Sequence, residues 1–466
     1  MERQRAANGG ISPEIVIRRG LPVAVAGVHA QAAASMHTHL TRSVTSRLIL
    51  LCCLASVAMA ACSATASAQS LDVVIKWNRI MLDAVVVPGA NPATVFVHRP
   101  MAIVSVAMFD AANSFDRIYR PYATVVNPPA GASRDAAVAQ AAHDTLVALL
   151  PTLRATFDAA LAESLAGIPA AAAADGSRVG LAVAQATLQL RANDGWNQTP
   201  PAYQLPSLPG YWRPTPAANA AATFTHYPDV AGFVLPHGRR FLMEPPPALS
   251  SARYATDFSE VKSVGAINST TRTVDQTLMA RTWHGVGTTT TSPNLWNIVL
   301  ADVARARGWS GVDAARGFAL MNMTQHDALM TSFTGKFLYG LWRPVTAIRE
   351  AETDGNAATA ADSAWTPLLA TPPYPGHPGN RACLSASQSR LLQRLFGQDN
   401  VPIQVTWLVP NAAAIVRSYN GFRQLADEEA KSRIWGGIHF QFESDASMGA
   451  CTLVADYVVD NTLRKY

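Results

Sequence analysis

Three short basic runs in the C-terminal part of the chain constrain its fold most strongly. They span residues 336–344, 375–387 and 432–439 and read KFLYGLWRP, PGHPGNRACLSAS and SRIWGGIH. Together they hold one Lys, three Arg and two His, with no acidic residue. Arg offers a planar fork of donors and Lys a point charge, and both keep their charge against a phosphate-like ligand. The runs are therefore expected to meet around a pocket for a tetrahedral oxyanion.

Spacing within the first run predicts a shared helix face. Lys336 and Arg343 are seven residues apart, which is two helical turns. Pro344 cannot donate to the helical ladder, so the helix is expected to bend or end near it.

Spacing within the third run predicts a break. Arg433 and His439 are six residues apart, which a regular helix would place on different sides. Gly436 and Gly437 lie between them and can end the helix, so that both side chains converge. A His in such a pocket can bond the central atom of the anion.

The order Lys-x6-Arg-Pro, a Pro-containing turn that opens a helix, and Ser-Arg-x5-His resembles the vanadium-dependent haloperoxidases. The type-2 phosphatidic acid phosphatases and bacterial class A acid phosphatases share this signature. The flanks FLYGLWRPVTAIRE and SRIWGGIHF look like the bacterial haloperoxidase branch. The resemblance covers about residues 72–460. It implies an all-α fold of two four-helix bundles with long Pro-rich loops and a site at the end of the C-terminal bundle.

The resemblance also implies residue roles. His439 would be the axial ligand to vanadium, or the phosphorylated nucleophile in the phosphatase relatives. Lys336, Arg343 and Arg433 would bind the equatorial oxygens. The implied cofactor is vanadate, and the implied partners are hydrogen peroxide and halide, with room for a small organic acceptor. The acceptor that would hold the second ring nitrogen of His439 is not identified from the sequence.

The second motif departs from the usual Pro-Ser-Gly-His of the family. Aligned through the helix that follows, the chain has Pro378, Gly379, Asn380 and Arg381 at those positions. Arg cannot act as the acid or base that the family His provides, since its pKa exceeds about 12. It can still donate hydrogen bonds, and the backbone amides there can still hold an anion. His377 could supply the missing acid or base, although a surface role is the expected alternative for a turn His.

Aromatic residues beside the motifs have two interpretations. By the resemblance, Phe333 and Tyr374 would line the halide side of the site, and ordinary core packing is the alternative. We expect Trp342 and Trp435 to serve packing. The isolated His284 is assigned no role.

Helical periodicity dominates the chain outside its leader. Residues 196–250 and 352–375 instead predict long Pro-rich loops. The expected helices are 72–84, 99–115, 134–164, 177–193, 251–263, 271–283, 294–307, 311–349, 381–396, 410–430 and 440–463.

The N-terminus resembles a targeting segment. Basic residues precede an apolar run at 48–61, and an Ala-Ser-Ala site precedes Gln69. Residues 36–68 therefore predict a signal peptide and an exported protein, periplasmic or secreted. Residues 1–35 would be a mis-annotated upstream extension. The mature chain would comprise an N-terminal helical half with the Pro-rich loop, 69–250, and a C-terminal half with the oxyanion site, 251–466.

Charge and hydropathy limit the classes of partner that the chain is expected to bind. The formal net charge is +5, but residues 1–68 hold six Arg and two Glu, which leaves 31 basic and 30 acidic residues. This balance gives no reason to expect nucleic acid as a partner. No apolar run after the leader reaches the roughly 18–20 residues of a membrane span. The oligomeric state is open, and a homodimer is allowed.

Two cysteines, Cys383 and Cys451, follow the predicted cleavage site. They could pair in an oxidising compartment. We expect two buried free thiols instead, because sequence cannot establish their proximity.

Three functions fit these patterns. The first is an exported vanadate-dependent haloperoxidase whose turnover is impaired by Arg381. The second is a phosphate-ester hydrolase with His439 as nucleophile, which the haloperoxidase-like flanks oppose. The third is a non-catalytic anion-binding homologue, which the replacement at Arg381 supports.

Overall fold

The computed structural model describes residues 71–90, 97–285, 291–409 and 412–466. Within these ranges the chain forms thirteen α-helices and one antiparallel pair of strands, which confirms the predicted helical fold. The helices are α1 (71–85), α2 (His98–Asp116), α3 (Arg134–Leu149), α4 (Arg154–Leu165), α5 (Ala170–Leu190), α6 (Ala252–Val264), α7 (Val274–His284), α8 (Ser292–Ala306), α9 (Gly311–Tyr339), α10 (Pro344–Arg349), α11 (Asn380–Phe396), α12 (Phe422–Trp435) and α13 (Gln441–Asn461). The strands are β1 (Ile403–Trp407) and β2 (Ile415–Tyr419). The predicted extension 1–35 and signal peptide 36–68 lie outside the described ranges.

Small residues allow the N-terminal helices to pack closely. Helix α5 lies against α3 and α2, and α2 in turn packs against the long helix α9. A Cβ atom added at Gly176 would lie 2.1 Å from the carbonyl oxygen of Ser133, and one added at Gly180 would lie 2.3 Å from that of Ala137. Neither contact is sterically allowed, so glycine at these two positions sets the spacing between α3 and α5.

Helix α9 ends earlier than predicted. Gly340 has φ +60°, a left-handed conformation that suits glycine, and its N–H donates to the carbonyl oxygen of Lys336 at 2.9 Å. A new helix, α10, then starts at Pro344, where a missing N–H costs nothing. The prediction that the helix bends or ends near Pro344 is confirmed, whereas a helix that continues to residue 349 is wrong. Because the helix ends at residue 339, Lys336 and Arg343 belong to different elements.

Two other helix boundaries were also wrong. The first part of the helix predicted over 410–430 contains β2, and α12 begins only at Phe422. The β-branched residues of β2 alternate in exposure and pair with β1, so side-chain packing on a sheet outweighs helical periodicity there. The helix predicted over 134–164 is interrupted by a 3₁₀ turn that starts at Pro151.

The long loop at residues 196–250 is irregular, as predicted, and contains only two short 3₁₀ turns. It is fixed to α9 by the buried carboxylate of Asp327. That carboxylate accepts the backbone N–H groups of Phe233, Val234 and Leu235 at 2.7, 2.8 and 2.8 Å. The loop thereby packs against the helix that carries Lys336.

The C-terminal helices α9, α11, α12 and α13 pack around one another and carry the motifs. Cys383 on α11 and Cys451 on α13 form a disulfide, with their Cα atoms 5.1 Å apart. The expectation of two free thiols is therefore wrong, because the packing of these two helices brings the cysteines into bonding distance. Over the described ranges, no helix combines the length and hydropathy that crossing a bilayer requires.

Candidate oxyanion site

The four motif residues come from four different segments. Lys336 lies in the last turn of α9, Arg343 immediately precedes α10, and Arg433 lies in the last turn of α12. His439 lies in the connection between α12 and α13. All four side chains are buried. Gly437 has φ +76° in that connection, which makes the predicted break between Arg433 and His439.

The partners of His439 fix its tautomer. Nη1 of Arg343 lies 3.1 Å from Nε2 of the imidazole, and a guanidinium can only donate. Nε2 is therefore the acceptor, and Nδ1 carries the proton and donates it to Oε2 of Glu443. Burial, reinforced by Arg343 and Lys336, lowers the pKa of His439 well below its usual 6.5. The ring is thus neutral, with its lone pair on Nε2, which is the form that bonds a metal.

Arg343 is the cation closest to this lone pair. Its Nε donates to the carbonyl oxygen of Tyr374 at 2.8 Å, and Nη1 also donates to that of Ile438 at 2.9 Å. Its Nη2 is buried and has no hydrogen-bond acceptor among the described residues. The side chain is therefore held in place with one donor left over.

Arg433 approaches from α12 and contacts a histidine that the sequence gave no reason to select. Its Nη2 lies 2.8 Å from Nδ1 of His284, the last residue of α7. Burial, followed by the nearby Arg381, lowers the pKa of Arg433 to about 9, so the guanidinium is still charged at neutral pH.

Lys336 makes three hydrogen bonds to the Pro-containing turn. Its Nζ donates to the carbonyl oxygens of Pro375, Gly376 and Pro378 at 2.9, 2.7 and 2.5 Å. These bonds use all three ammonium donors, and Lys336 does not line the cavity described below. Burial and Arg343 lower its pKa well below 10.5. In this structure Lys336 orders the turn that opens α11.

The second motif forms the N-terminus of α11. Gly379 is the residue before the helix, and the helix begins with Asn380. Oδ1 of Asn380 accepts from the Ser332 hydroxyl at 2.7 Å, while its Nδ2 is buried without an acceptor in the described structure. Nη1 of Arg381 lies 3.7 Å from the buried carboxylate of Glu429 and makes no hydrogen bond to any residue that the structure describes. The side chains of Asn380 and Arg381, at the N-terminus of α11, both line the cavity described below.

His377 lies apart from this group. Its Nε2 donates to the carbonyl oxygen of Glu244 at 2.8 Å, and its ring packs between Tyr339 and Phe442. It does not line the cavity, and burial lowers its pKa to about 4. The expected alternative, a surface residue, is wrong, because His377 is only 1% exposed.

A cavity of about 200 Å³ lies where these segments meet. Tyr374 lines it, as the resemblance implied, whereas Phe333 is buried behind Tyr374 with the ring centroids 5.3 Å apart. Trp342 is buried in a neighbouring apolar cluster, in agreement with a packing role. The lining residues include His98, His284, Asn380, Arg381, Arg433 and His439.

The donor set around this cavity matches a tetrahedral oxyanion. In the described part of the chain, unpaired donors are left on Asn380 and Arg381, which line the cavity, and on Arg343, which contacts the lining residue His439. Leaving a buried donor unsatisfied costs about 1–3 kcal/mol. An oxyanion, whose oxygens only accept hydrogen bonds, would therefore be stabilised there. Three buried basic side chains of the motifs, Lys336, Arg343 and Arg433, outnumber the two buried acids beside them, Glu429 and Glu443. Burial also raises the pKa of Glu443 to about 8, which favours its neutral form.

Three site residues were missed by reasoning from the sequence. Glu443 follows His439 by four residues and Glu429 precedes Arg433 by four, so helical spacing could have indicated both. His284 is 149 residues from Arg433, and no linear pattern connects the two.

Comparisons with known proteins agree with this geometry. Residues 316–466 match the family model described as the VCPO second helical-bundle domain. The vanadium chloroperoxidase of Curvularia inaequalis is 24% identical over 287 residues, which are 47% of this chain and 46% of that protein. The chain thus spans less than half the length of this curated relative.

Solved bacterial structures share the fold over most of the chain. The first bacterial vanadium-dependent iodoperoxidase superposes with a TM-score of 0.71 at 22% identity, covering 84% of this chain and 96% of its own. A holo-type bacterial vanadium-dependent chloroperoxidase gives a TM-score of 0.64 at 16% identity, covering 80% and 93%. Residues 316–466 therefore match the second helical-bundle domain of the VCPO family, and the chain shares its fold with bacterial vanadium-dependent haloperoxidases.

Proposed function

We propose that this protein is a vanadate-dependent haloperoxidase that oxidises halide with hydrogen peroxide. One observation carries the proposal. A buried neutral His439 has its Nε2 lone pair beside Arg343, whose remaining Nη2 donor has no acceptor among the described residues. Bonding of Nε2 to the central atom of an oxyanion would replace its hydrogen bond from Nη1 of Arg343, and Nη1 and Nη2 could then both donate to the oxygens of the anion.

The side chains that would hold vanadate are those that surround this pair. His439 would be the metal ligand, and Arg343, Arg433, Arg381 and Asn380 would donate to its oxygens. Bound vanadate would supply the Lewis acid that activates peroxide toward halide. Lys336 would hold the Pro-containing turn and could reach the anion only by giving up one of its three carbonyl acceptors.

The chain itself contributes fixed charge in a water-poor site. Buried guanidinium groups stabilise negative charge strongly because little solvent screens them. The carboxyl group of Glu443 holds the His439 ring in the tautomer that exposes Nε2.

Cavity size favours the haloperoxidase over the phosphatase alternative. A volume of about 200 Å³ lies below the roughly 300–1,000 Å³ of pockets for drug-sized ligands. An inorganic oxyanion with peroxide or halide needs less room than an organic phosphate ester. Phosphate-ester hydrolysis also needs an acid for the leaving group, and Arg381 cannot provide it. We propose that the same replacement slows haloperoxidase turnover.

We also propose that the protein is exported. The predicted signal peptide at 36–68 and the disulfide between Cys383 and Cys451 both support an oxidising compartment. Detection of the mature N-terminus near Gln69 in periplasmic or secreted protein would test this proposal.

The test of function is halogenation of a dimedone-type probe by purified protein, with and without orthovanadate and peroxide. The proposal predicts turnover that needs both and that is lost in His439→Ala but kept in His237→Ala, a change at an exposed loop His. A parallel assay with p-nitrophenyl phosphate tests the hydrolase. Vanadate binding without turnover in either assay would instead support the non-catalytic homologue.

A further inference from the structure

The second motif has Arg381 where related motifs carry an imidazole, yet the cavity is lined by another imidazole, that of His284. His284 lies at the C-terminus of α7 and lines the cavity together with Arg381, Arg433 and His439. Its ring is half-buried, and Nδ1 lies 2.8 Å from Nη2 of Arg433. The ring is therefore held in a defined orientation at the edge of the site.

The contact with Arg433 determines which nitrogen of His284 carries the proton. A guanidinium has no acceptor, so Nδ1 must accept the hydrogen bond. A neutral imidazole in this position then carries its proton on Nε2. This tautomer is opposite to that of His439, whose Nδ1 carries the proton and whose Nε2 is the acceptor.

The surrounding charges keep the His284 ring neutral. Burial, followed by Arg433 and Arg381, lowers its pKa from 6.5 to about 3. The other titratable groups around the cavity are His98, Tyr374 and His439, with the Glu429 carboxylate beside Arg381. A neutral ring with a proton on Nε2 is a hydrogen-bond donor at ordinary pH. Its hydrogen bond to an anion in the cavity would be stronger than one to a neutral acceptor.

We propose that His284 is a binding residue of the oxyanion site, which donates a hydrogen bond from Nε2 to an oxygen of the bound anion. This hydrogen bond would take the place of one that the missing motif imidazole would make, but it comes from α7 instead of α11. It would not transfer a proton, because Nδ1 is occupied by Arg433 and Nε2 is already protonated. The inference deepens the proposed function and names a contact of the same site.

Equilibrium titration of the purified protein with inorganic phosphate and with orthovanadate tests this contact. Loss of one charge-assisted hydrogen bond predicts at least about tenfold weaker binding of both anions in His284→Ala. In His284→Gln, the amide oxygen can accept from Arg433 and the amide N–H₂ can donate to the anion, so binding should stay within about threefold of wild type. His237→Gln, at an exposed His, is the matched control.

A structural role confined to positioning Arg433 would also weaken binding in His284→Ala, so a second readout is needed. NMR of protein with ¹⁵N-labelled histidine reports the tautomer and the Nε2 proton directly. The proposal predicts a protonated Nε2 on His284 whose proton signal moves when phosphate is added. An unprotonated Nε2, a signal that phosphate leaves unchanged, or normal binding in His284→Ala would each overturn it.

This result can be separated from a failure of the proposed function. If wild type binds phosphate and vanadate but does not halogenate, the haloperoxidase proposal fails while the His284 contact can still be measured. If halogenation depends on vanadate but His284→Ala binds normally, only the His284 contact fails.

Discussion

Glu443 lies one helical turn beyond His439 and accepts a hydrogen bond from its Nδ1, which leaves Nε2 turned toward Arg343. The backbone supports this arrangement, because the carbonyl oxygen of Glu443 also accepts the N–H of Gly379 at 3.2 Å. One residue of α13 thus orients the imidazole and ties the N-terminus of α11 to it.

Replacing the carboxyl group of Glu443 tests how much this orientation matters. In Glu443→Gln the amide can present either its oxygen or its N–H₂ group to Nδ1, so only Arg343 still fixes the tautomer of His439 and the ring is held less firmly. Loss of the hydrogen-bond partner of a metal-binding His typically costs about 10–100-fold in metal affinity. We expect vanadate binding to weaken by about that factor. Isothermal titration measures it. Asp445→Asn on the exposed side of α13 is the control, and a Glu443→Gln variant with wild-type affinity would contradict this role.

Arg381 is expected to stabilise the fold through Glu429. The carboxylate of Glu429 is fully buried, and Nη1 of Arg381 lies 3.7 Å from it. In Arg381→His the buried acid loses this cation, so thermal stability should fall by several degrees. The second change in Arg381→His/Glu429→Gln removes the unpaired charge and should restore most of the melting temperature. If the melting temperature lost in the double variant equals the sum of the losses in Arg381→His and Glu429→Gln, this coupling is ruled out.

His377 is expected to make the protein sensitive to acid. Its pKa is about 4 in the folded state against 6.5 for an unperturbed His, so the unfolded chain binds more protons between these values. Stability should therefore fall as pH falls from 6.5 toward 4, by up to about 3 kcal/mol from this group. His377→Gln can still donate to the Glu244 carbonyl and should lose less stability over this range.

Urea unfolding of wild type and His377→Gln at about pH 7 and about pH 4 measures the difference. His237→Gln serves as the control. The prediction is wrong if both proteins lose the same free energy of unfolding. Because His377 lies outside the cavity, its replacement should leave turnover within about threefold of wild type, which an essential acid or base would not allow.

The disulfide between Cys383 and Cys451 should contribute measurably to stability. It closes a loop of 68 residues, and native disulfides contribute typically about 2–4 kcal/mol. The variant Cys383→Ser/Cys451→Ser should lose about that much free energy of unfolding in urea. Reductant should lower the stability of wild type and leave the variant unchanged. An equal response of both proteins to reductant would contradict the assignment.

The sequence was sufficient for the helical class and for the central residues of the site, for identifiable reasons. The motifs place charges at helix ends, and the glycine pair after Arg433 predicts the break that brings His439 back. Local spacing contains this information. A bend or end near Pro344 was predicted, but the exact helix end at Gly340 was missed because the apolar pattern continues past it. Gly340 and Pro344 carry the signals of a helix end and a new start.

Contacts between distant segments could not be derived in this way. The pairing of His284 with Arg433 and the disulfide depend on how α7, α11, α12 and α13 pack. The three carbonyl acceptors of Lys336 likewise depend on the folded path of the turn at 375–378. The spacing of Lys336 and Arg343 suggested one helix face, whereas the two side chains approach the site region from separate elements.

A crystal structure of the protein soaked with orthovanadate tests the central claim most directly. The account predicts one oxyanion in the cavity, bonded to Nε2 of His439, with Arg343 and Arg433 donating to its oxygens. Density for the anion elsewhere, or an empty cavity with Nε2 of His439 still accepting only from Arg343, would contradict it.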